Sequence, residues 1–480
     1  MKKGSIKSNF LYQVLYNLVT TVIPLIVTPF LTRSLLEYEL GRFTYTRSIA
    51  AYFVTFSMMG IVKYGQRVIS QSADDENMLR KSFWSLMLVH SCFSLIALLA
   101  YSFAGIFIIH NNKDLFWIQS IYVLSSLFNI TWLFYGLENF RIVAIRNTIV
   151  KIVEAVLYIL FIKSPKDIVL YALINCFIVL ISQLMVIPAA LRRIKPVRVE
   201  WKECKEHIKP LLVFAIAVVG IQLYTIFDTT LLGIFSSNEN VAFYDYSDRI
   251  VKFPLIVASI IGTVLFPRAC RLAAQNNYEE QKKYMNCSMI IVSLIGAASF
   301  WGLAVIGSPL AVMYLGENFK NCGPYIFALS PLVFVVSIGD VIRTQFMIPN
   351  GMDKEYIRSI IINAVTNLVL STALILTLPK EFQIYSAIIG TISAETVGMM
   401  YQLALCRNFI SIKRLVRTTF CSFAIGGVMG AVIKVISLKI EWTVISLIAI
   451  VAIGAIVFIS LSIGYVFVFE KDFKRMILRR

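Results

Sequence analysis

Apolar residues run along this chain in blocks of about twenty, parted by short stretches that hold most of the charges. A helix needs about 20 largely apolar residues to cross the hydrocarbon of a bilayer. Runs of that kind fall at 10–32, 43–64, 82–109, 115–137, 142–162, 168–191, 210–235, 250–270, 284–307, 323–348, 357–378, 383–406, 416–437 and 442–469. The pattern predicts an all-α integral membrane protein of about fourteen transmembrane helices. Pro24, Pro29, Pro254 and Pro331 lie inside runs and predict kinks, which membrane helices accept when neighbours satisfy the freed carbonyls.

Charge gives the runs a direction. Of the 45 Lys and Arg, 32 fall in the two tails and the even-numbered connections and 12 in the odd-numbered ones, with Arg343 alone deep in a run. A bias that alternates at every connection predicts cytoplasmic amino and carboxyl ends. It also changes how the net charge of +18 is read. In a soluble protein such a balance would point to nucleic acid; here it points to the cytoplasmic face of a membrane, and no nucleic-acid partner is expected. Composition agrees, since a chain 58% hydrophobic with a mean hydropathy of +0.77 has more apolar surface than one soluble core can bury. The opening MKKGSIKSNF enters the first run without a small-residue cleavage site, so a retained first helix is expected.

The longest cytoplasmic connection, Arg192–Lys209, divides the runs into six, six and two. Residues 1–191 are read as one six-helix lobe, 192–209 as a basic linker, 210–406 as a second lobe and 407–480 as a helix pair with a basic tail. An offset of 201 pairs Phe43 with Tyr244, Tyr45 with Tyr246, Thr46 with Ser247, Ile49 with Ile250 and Arg67 with Arg268. An offset of 212 pairs Ile145 and Arg146 with Ile357 and Arg358. These matches predict a duplicated six-helix unit, and an even number of spans per copy puts the pseudo-twofold axis along the membrane normal.

Chemistry is excluded more easily than assigned. No Walker motif, Gly-rich phosphate loop, HExxH or TVGYG filter occurs, and the connections are too short for a catalytic domain, so an enzyme is not expected. The eight cysteines include no CxxC pair, and His90, His110 and His207 have no ligand spacing, so neither metal nor cofactor is expected. The default that remains is a secondary transporter with two lobes and a site near the midplane.

Four blocks carry a family resemblance. They are PFLTRSLLEYELGRFTYTRSIAAYF with MGIVKYGQRVIS, WLFYGLENFRIVAIRNTIVKIVE, QLYTIFDTTLLGIFSSNENVAFYDYSDRI and QFMIPNGMDKEYIRS. In this combination the chain resembles polysaccharide flippases of the Wzx type, with Trp132, Gly136, Glu138, Arg146, Asp228, Tyr244 and Arg249 at matching places. The resemblance implies the fold of the multidrug/oligosaccharidyl-lipid/polysaccharide exporters, two pseudo-symmetric six-helix lobes around a central cavity. It implies transfer of an undecaprenyl-diphosphate-linked oligosaccharide, of O-antigen or capsule type, across a bacterial cytoplasmic membrane. It also implies H+ or Na+ as a coupling ion and polysaccharide polymerase machinery as a partner beside the membrane lipids. Twelve spans are common in that family; the last two here would be an accessory pair.

A charge at the bilayer centre costs at least ~2.5–3.5 kcal/mol on insertion scales, so intramembrane charges are the candidate site. Arg47, Arg249 and Arg343 are the candidate cavity cations for diphosphate or glycan. Asp228, Asp340 and Glu395 are the candidate coupling or cavity carboxylates. Against each stands a structural reading: Arg47 and Arg249 snorkelling at an interface, Asp228 in an interhelical ion pair, Asp340 and Arg343 neutralising each other one turn apart. Lys252 and Arg33 read as interfacial, Lys151 and Glu154 as a local pair. Arg67, Arg141, Arg146, Arg268 and Arg358 read as topology-setting helix ends, and Trp132, Tyr135, Tyr224 and Tyr244 as belt aromatics. The rival functions are a cation-coupled multidrug antiporter on the same architecture and a membrane-embedded glycan polymerase or ligase.

Overall fold

The computed structural model describes the backbone of residues 6–470. Side chains at 6–18, 21, 216, 217, 221, 223 and 224 lie outside the described residues, and so do Tyr224's ring and the basic tail from 471 onward. Among the described residues the chain is helical and contains no strand. The helices are α1 (Ile6–Met58), α2 (Ile61–Ser72), α3 (Glu76–Phe107), α4 (Lys113–Leu127), α5 (Thr131–Gly136), α6 (Phe140–Phe161), α7 (Ile168–Leu184), α8 (Ile187–Leu191) and α9 (Trp201–Phe235). They continue with α10 (Asn238–Ala274), α11 (Tyr278–Leu310), α12 (Cys322–Leu329), α13 (Pro331–Ile342), α14 (Asp353–Thr377), α15 (Ile384–Leu405), α16 (Ile412–Ser437) and α17 (Val444–Phe469).

Among the described residues, eight segments are long and apolar enough to cross a membrane unaided, and α9 is a ninth if its bent halves form one span. The remaining five apolar runs are helical too. Two share α1, one is split between α4 and α5, and two are α6 and α15. The last pair are thinned by polar residues, Arg146, Lys151 and Glu154 in α6 and Glu395 and Gln402 in α15. About fourteen spans therefore stand.

The first connection differs from expectation. Residues 33–42 stay helical except at Leu36, whose φ of 62° breaks α1 into two arms. Leu35 and Leu40 are buried on either side, which pins that strained residue. Pro331 also differs: it stands at the first position of α13, where its missing N–H costs no helical hydrogen bond.

Two compact units divide at Val241/Ala242. In the first, α1 packs against α3, α4, α6 and α9. Near α2 a cluster of Ile61, Ile69, Phe83, Trp132, Leu133, Ile194 and Cys204 closes the unit. Gly65 makes room for it, because a methyl there would stand 2.9 Å from the Trp132 ring. The linker 192–209 is part of this cluster. Trp84 Nε1 donates to the Lys195 carbonyl at 3.1 Å, and Lys81 pairs with Glu203 at 3.0 Å. His207 lies between the Tyr64 hydroxyl and Ser85 Oγ, 2.9 Å from each.

The second unit is held by close helix approach. On α14 the residues Ser359, Asn363, Asn367 and Ser371 recur every four positions and are buried against α15. Facing them, Gly390, Ala394 and Gly398 repeat at the same spacing. Small residues let backbones approach and side-chain amides bond across the seam. In α16 the stretch Gly426, Gly427 and Gly430 receives Trp301 of α11. That contact docks the α16–α17 pair onto the unit. At its end, Glu470 is 1% exposed and accepts from Arg414 Nε at 2.8 Å, Arg417 Nη2 at 2.8 Å and the Tyr465 hydroxyl at 3.1 Å.

Two outcomes follow from these contacts. Removing one partner of a buried charge pair is costly, so Glu470→Ala lowers stability by about 2–3 kcal/mol, a range reduced because Arg417 is half exposed; thermal unfolding in nanodiscs checks it. Burial holds the His207 imidazole below its ordinary value, against the opposing pull of Glu206 and Glu203. A depressed histidine contributes stability above its unfolded value and loses it as pH falls from about 6.5. Protection factors over 195–210, corrected for the intrinsic pH dependence of amide exchange, therefore fall between about pH 7 and 5, and His207→Gln abolishes that fall.

Candidate transport site

The candidate charges are placed by helices whose other faces are buried, so each is described within its own unit. In the first unit, Arg47 follows the kink in α1 and turns toward α4. Its Nη1 donates to Gln119 Oε1 at 3.1 Å, and its guanidinium carbon stands 3.2 Å from the centre of the Tyr122 ring. Cys176 Sγ reaches the same Gln119 oxygen at 3.4 Å. A cation held over an aromatic face keeps its charge while part of its solvation is replaced.

The next residue, Ser48, points about 100° away and meets α9, where its hydroxyl lies 2.9 Å from Thr230 Oγ1. Tyr52, one turn on, lies near Thr230 and within electrostatic reach of Asp228. Asp228 is 3% exposed. Arg47 and Asp228 thus sit off two sides of one helix arm and engage different neighbours.

Two further charges in this unit are buried more deeply than the sequence implied. Arg146, read as a topology-setting end, is 6% exposed and donates to Asn147 Oδ1 at 2.9 and 2.7 Å and to Gln183 at 3.3 Å. Glu154 pairs with Lys151 as expected. It also takes bonds from the Tyr158 hydroxyl at 3.0 Å and Asn175 Nδ2 at 3.1 Å, which joins α6 to α7.

In the second unit, α10 carries a ladder rather than isolated cations. Arg249 pairs with Asp245 at 2.8 Å, and Lys252 pairs with Asp248, each one turn apart. The Arg249 side chain is still 53% exposed. Asp245 and Asp248 are ion-pair partners that the sequence reading passed over, although DYSDRIVK shows both at i, i+4 spacing to a base.

Asp340 and Arg343 share a face, with Oδ1 and Nη2 3.7 Å apart, as the spacing predicts. At Arg343 the helix widens, since the Ile348 N–H bonds back five residues to the Arg343 carbonyl at 3.0 Å. Such wide turns recur at functional positions. Gly262 of α10 gives Asp340 its space, because a methyl there would stand 2.7 Å from the carboxylate. Gly339 does the same for Arg343 Nη1 and Gln402 Oε1, each just over 3 Å from where a methyl would sit.

Glu395 stands on the α14–α15 seam, and Asn363 Nδ2 donates to it at 3.3 Å. One turn along, Thr391 meets Asn367 Nδ2 at 3.4 Å and the Tyr244 hydroxyl of α10 at 3.1 Å. Within this unit, then, the structure brings together Asp340 with Arg343, Arg249 with Asp245, and Glu395 with the amides of α14. Among the described residues no three His, Cys, Asp or Glu side chains gather as a metal would require. Within each unit the arginines stand among hydroxyls and amides, groups of the kind that bind phosphate and polar heads.

The comparisons with known proteins fit this arrangement. Residues 6–273 match the family described as "Polysaccharide biosynthesis protein". The chain is 25% identical over 414 residues to the "Putative O-antigen transporter" of Shigella dysenteriae, covering 83% of this chain and 99% of that one. Its fold is similar to that of the lipid II flippase MurJ in an inward closed conformation, with a TM-score of 0.76, 14% identity, and coverage of 94% of this chain and 99% of that one. An inward-facing multidrug resistance MATE transporter of the MOP superfamily gives a TM-score of 0.58 at 13% identity, over 83% of this chain and 95% of that one. The family match spans more than half of the chain, and the protein belongs to the polysaccharide biosynthesis protein family.

Proposed function

We propose that the protein is a flippase that moves undecaprenyl-diphosphate-linked oligosaccharide from the cytoplasmic to the outer leaflet of a bacterial cytoplasmic membrane. The observation that carries this reading is the near end-to-end relation to an O-antigen transporter within a family of polysaccharide biosynthesis. The fold likeness to a lipid II flippase supports it, because a prenyl-diphosphate sugar makes the same physical demands in either case. The charged head needs cations in a wet cavity, and the tail needs to remain in lipid.

On this reading 1–191 and 210–406 are the two repeats, both termini are cytoplasmic, and the lobes rock about a central cavity. Arg47, Arg249 and Arg343 meet the head in turn. Each keeps a partner in the resting state (Gln119 with Tyr122, Asp245 and Asp340), so the diphosphate exchanges for a contact already present and no bare charge is left in the membrane. Asp228 and Glu395 are the carboxylates that carry a coupling H+ or Na+. Preferential binding of head and ion to one state biases the rocking. An antiporter of cationic drugs would need carboxylates in excess, whereas Asp245 and Asp340 are matched by arginines.

Deleting the gene is expected to leave undecaprenyl-linked oligosaccharide on the cytoplasmic leaflet, detected with a radiolabelled sugar precursor, and the intact gene clears it. Arg343→Ala slows that clearance about tenfold, equivalent to ~1.4 kcal/mol and one charge-assisted contact. Arg343→Lys restores part of it, since lysine keeps the charge and loses the fork. Gly398→Ala acts from a distance: its methyl would stand 1.8 Å from Asn363 Oδ1, so Asn363 must leave Glu395. Clearance by that variant falls while its level in the membrane is kept. No accumulation in the deletion strain, with unchanged surface glycan, contradicts the flippase reading.

A further inference from the structure

We propose a second ligand site in the first unit, a subsite for the oligosaccharide on the face that the charge bias assigns to the outside. The inference deepens the flippase reading and rests on it. Three connections end together here: the kinked start of the second arm of α1, the 108–112 segment between α3 and α4, and the 236–239 segment leading from α9 into α10. They enclose a cavity of about 680 Å³, within the roughly 300–1,000 Å³ typical of small-molecule sites.

The lining selects a chemical class. Tyr38 and Tyr45 bring aromatic rings, Asn112 and Asn238 side-chain amides, His110 an imidazole and Glu239 a carboxylate. No Lys or Arg lines the cavity, so it is unsuited to the diphosphate. Only three aliphatic residues do, all isoleucines, so it is unsuited to the polyprenyl chain. Flat rings for apolar C–H faces, with amides and a carboxylate for hydroxyls, are what an uncharged or cationic sugar requires.

The walls are preset. Arg42 Nε donates to Asn112 Oδ1 at 2.9 Å, and the same guanidinium is held by Glu39 at 2.8 Å and Asp114 at 2.6 Å. Asn112 Nδ2 in turn donates to Asn238 Oδ1 at 3.4 Å. Two glycines permit this closeness. A methyl on Gly41 would stand 1.7 Å from the Asn238 carbonyl oxygen, and one on Gly233 would stand 1.9 Å from the Tyr45 ring. The amides therefore face a ligand without having to reorganise. Among the described residues no ion pair holds Glu239. Tyr38 and Glu239 are also 201 residues apart, the offset of the internal repeat, so the site draws on equivalent places in both copies. Sugar held here after transfer would oppose the return of the head group.

The test uses the full-length protein in nanodiscs. The probe is the oligosaccharide released by partial acid hydrolysis of the surface polysaccharide of a strain carrying the gene, followed by saturation-transfer NMR and titration. The wild type is expected to bind saturably. Tyr38→Ala and Glu239→Gln each weaken binding about tenfold, while Lys439→Ala, exposed and outside this cavity, changes it less than about twofold. Ser237→Trp, on the exposed rim, fills the cavity and abolishes binding, while the lost contact of Ser237 Oγ with the Asn240 N–H lowers Tm by only a few degrees, which separates the site from a folding defect. No saturable binding by the wild type, or affinity unchanged in Tyr38→Ala, Glu239→Gln and Ser237→Trp, overturns the subsite. Failure of the flippase reading would show elsewhere, as the absence of lipid-linked oligosaccharide in the deletion strain.

Discussion

Hydrocarbon offers no hydrogen bonds, so each polar group that a membrane helix carries must find its partner inside the protein. That constraint organises both units. The four-residue ladder of Ser359, Asn363, Asn367 and Ser371 can lie in a span because α15 presents Gly390, Ala394 and Gly398 at the same spacing and comes close enough for contact. The same holds in the first unit, where the Tyr158 hydroxyl and Asn175 Nδ2 both donate to Glu154 and join α6 to α7. Apolar burial contributes little to choosing neighbours inside lipid, because lipid is as apolar as leucine. Polar matching and small residues choose them instead.

The constraint also bears on the proposed transport groups. A guanidinium buried alone would be prohibitive, and one sealed into a complete network could not exchange partners. Arg47, Arg249 and Arg343 fall between these extremes, each with an in-unit contact and part of its surface open. Arg146 falls outside the range: with three bonds to Asn147 and Gln183 and little exposure, it reads as a structural clamp. Glu470 is the carboxylate counterpart, saturated by two arginines and a tyrosine at the base of the terminal helix pair. On the proposed reading, it is the contrast between saturated and partly exposed charges, rather than depth in the membrane, that separates scaffold from machinery.

Sequence made the spans legible because about twenty apolar residues are a physical requirement of the bilayer, whatever the tertiary contacts. It made the Asp340–Arg343 and Lys151–Glu154 pairs legible too, since one helical turn is local geometry. Contacts made across sequence distance stayed hidden. Nothing local marks Arg146 as buried or Glu470 as the centre of a cluster whose partners lie some 55 residues earlier. Asp245 and Asp248 could have been found, had the basic residues of α10 been read with their neighbours at i−4. The fusion of the first two spans through Leu36 had no signal, because its positive φ falls on leucine where glycine or asparagine would have announced it. The cavity lined by Tyr38, Asn112 and Glu239 was equally hidden, assembled from three connections that each look like an ordinary short loop.

The most direct measurement is made with the purified protein in liposomes that contain undecaprenyl-diphosphate-linked oligosaccharide in both leaflets. An impermeant glycosidase outside would digest only what reaches the outer leaflet. The account predicts that empty liposomes protect the inner share, that liposomes with the protein lose it with time, and that Arg343→Ala slows the loss. Equal protection in liposomes with and without the protein, at intact membranes and confirmed insertion, would contradict it.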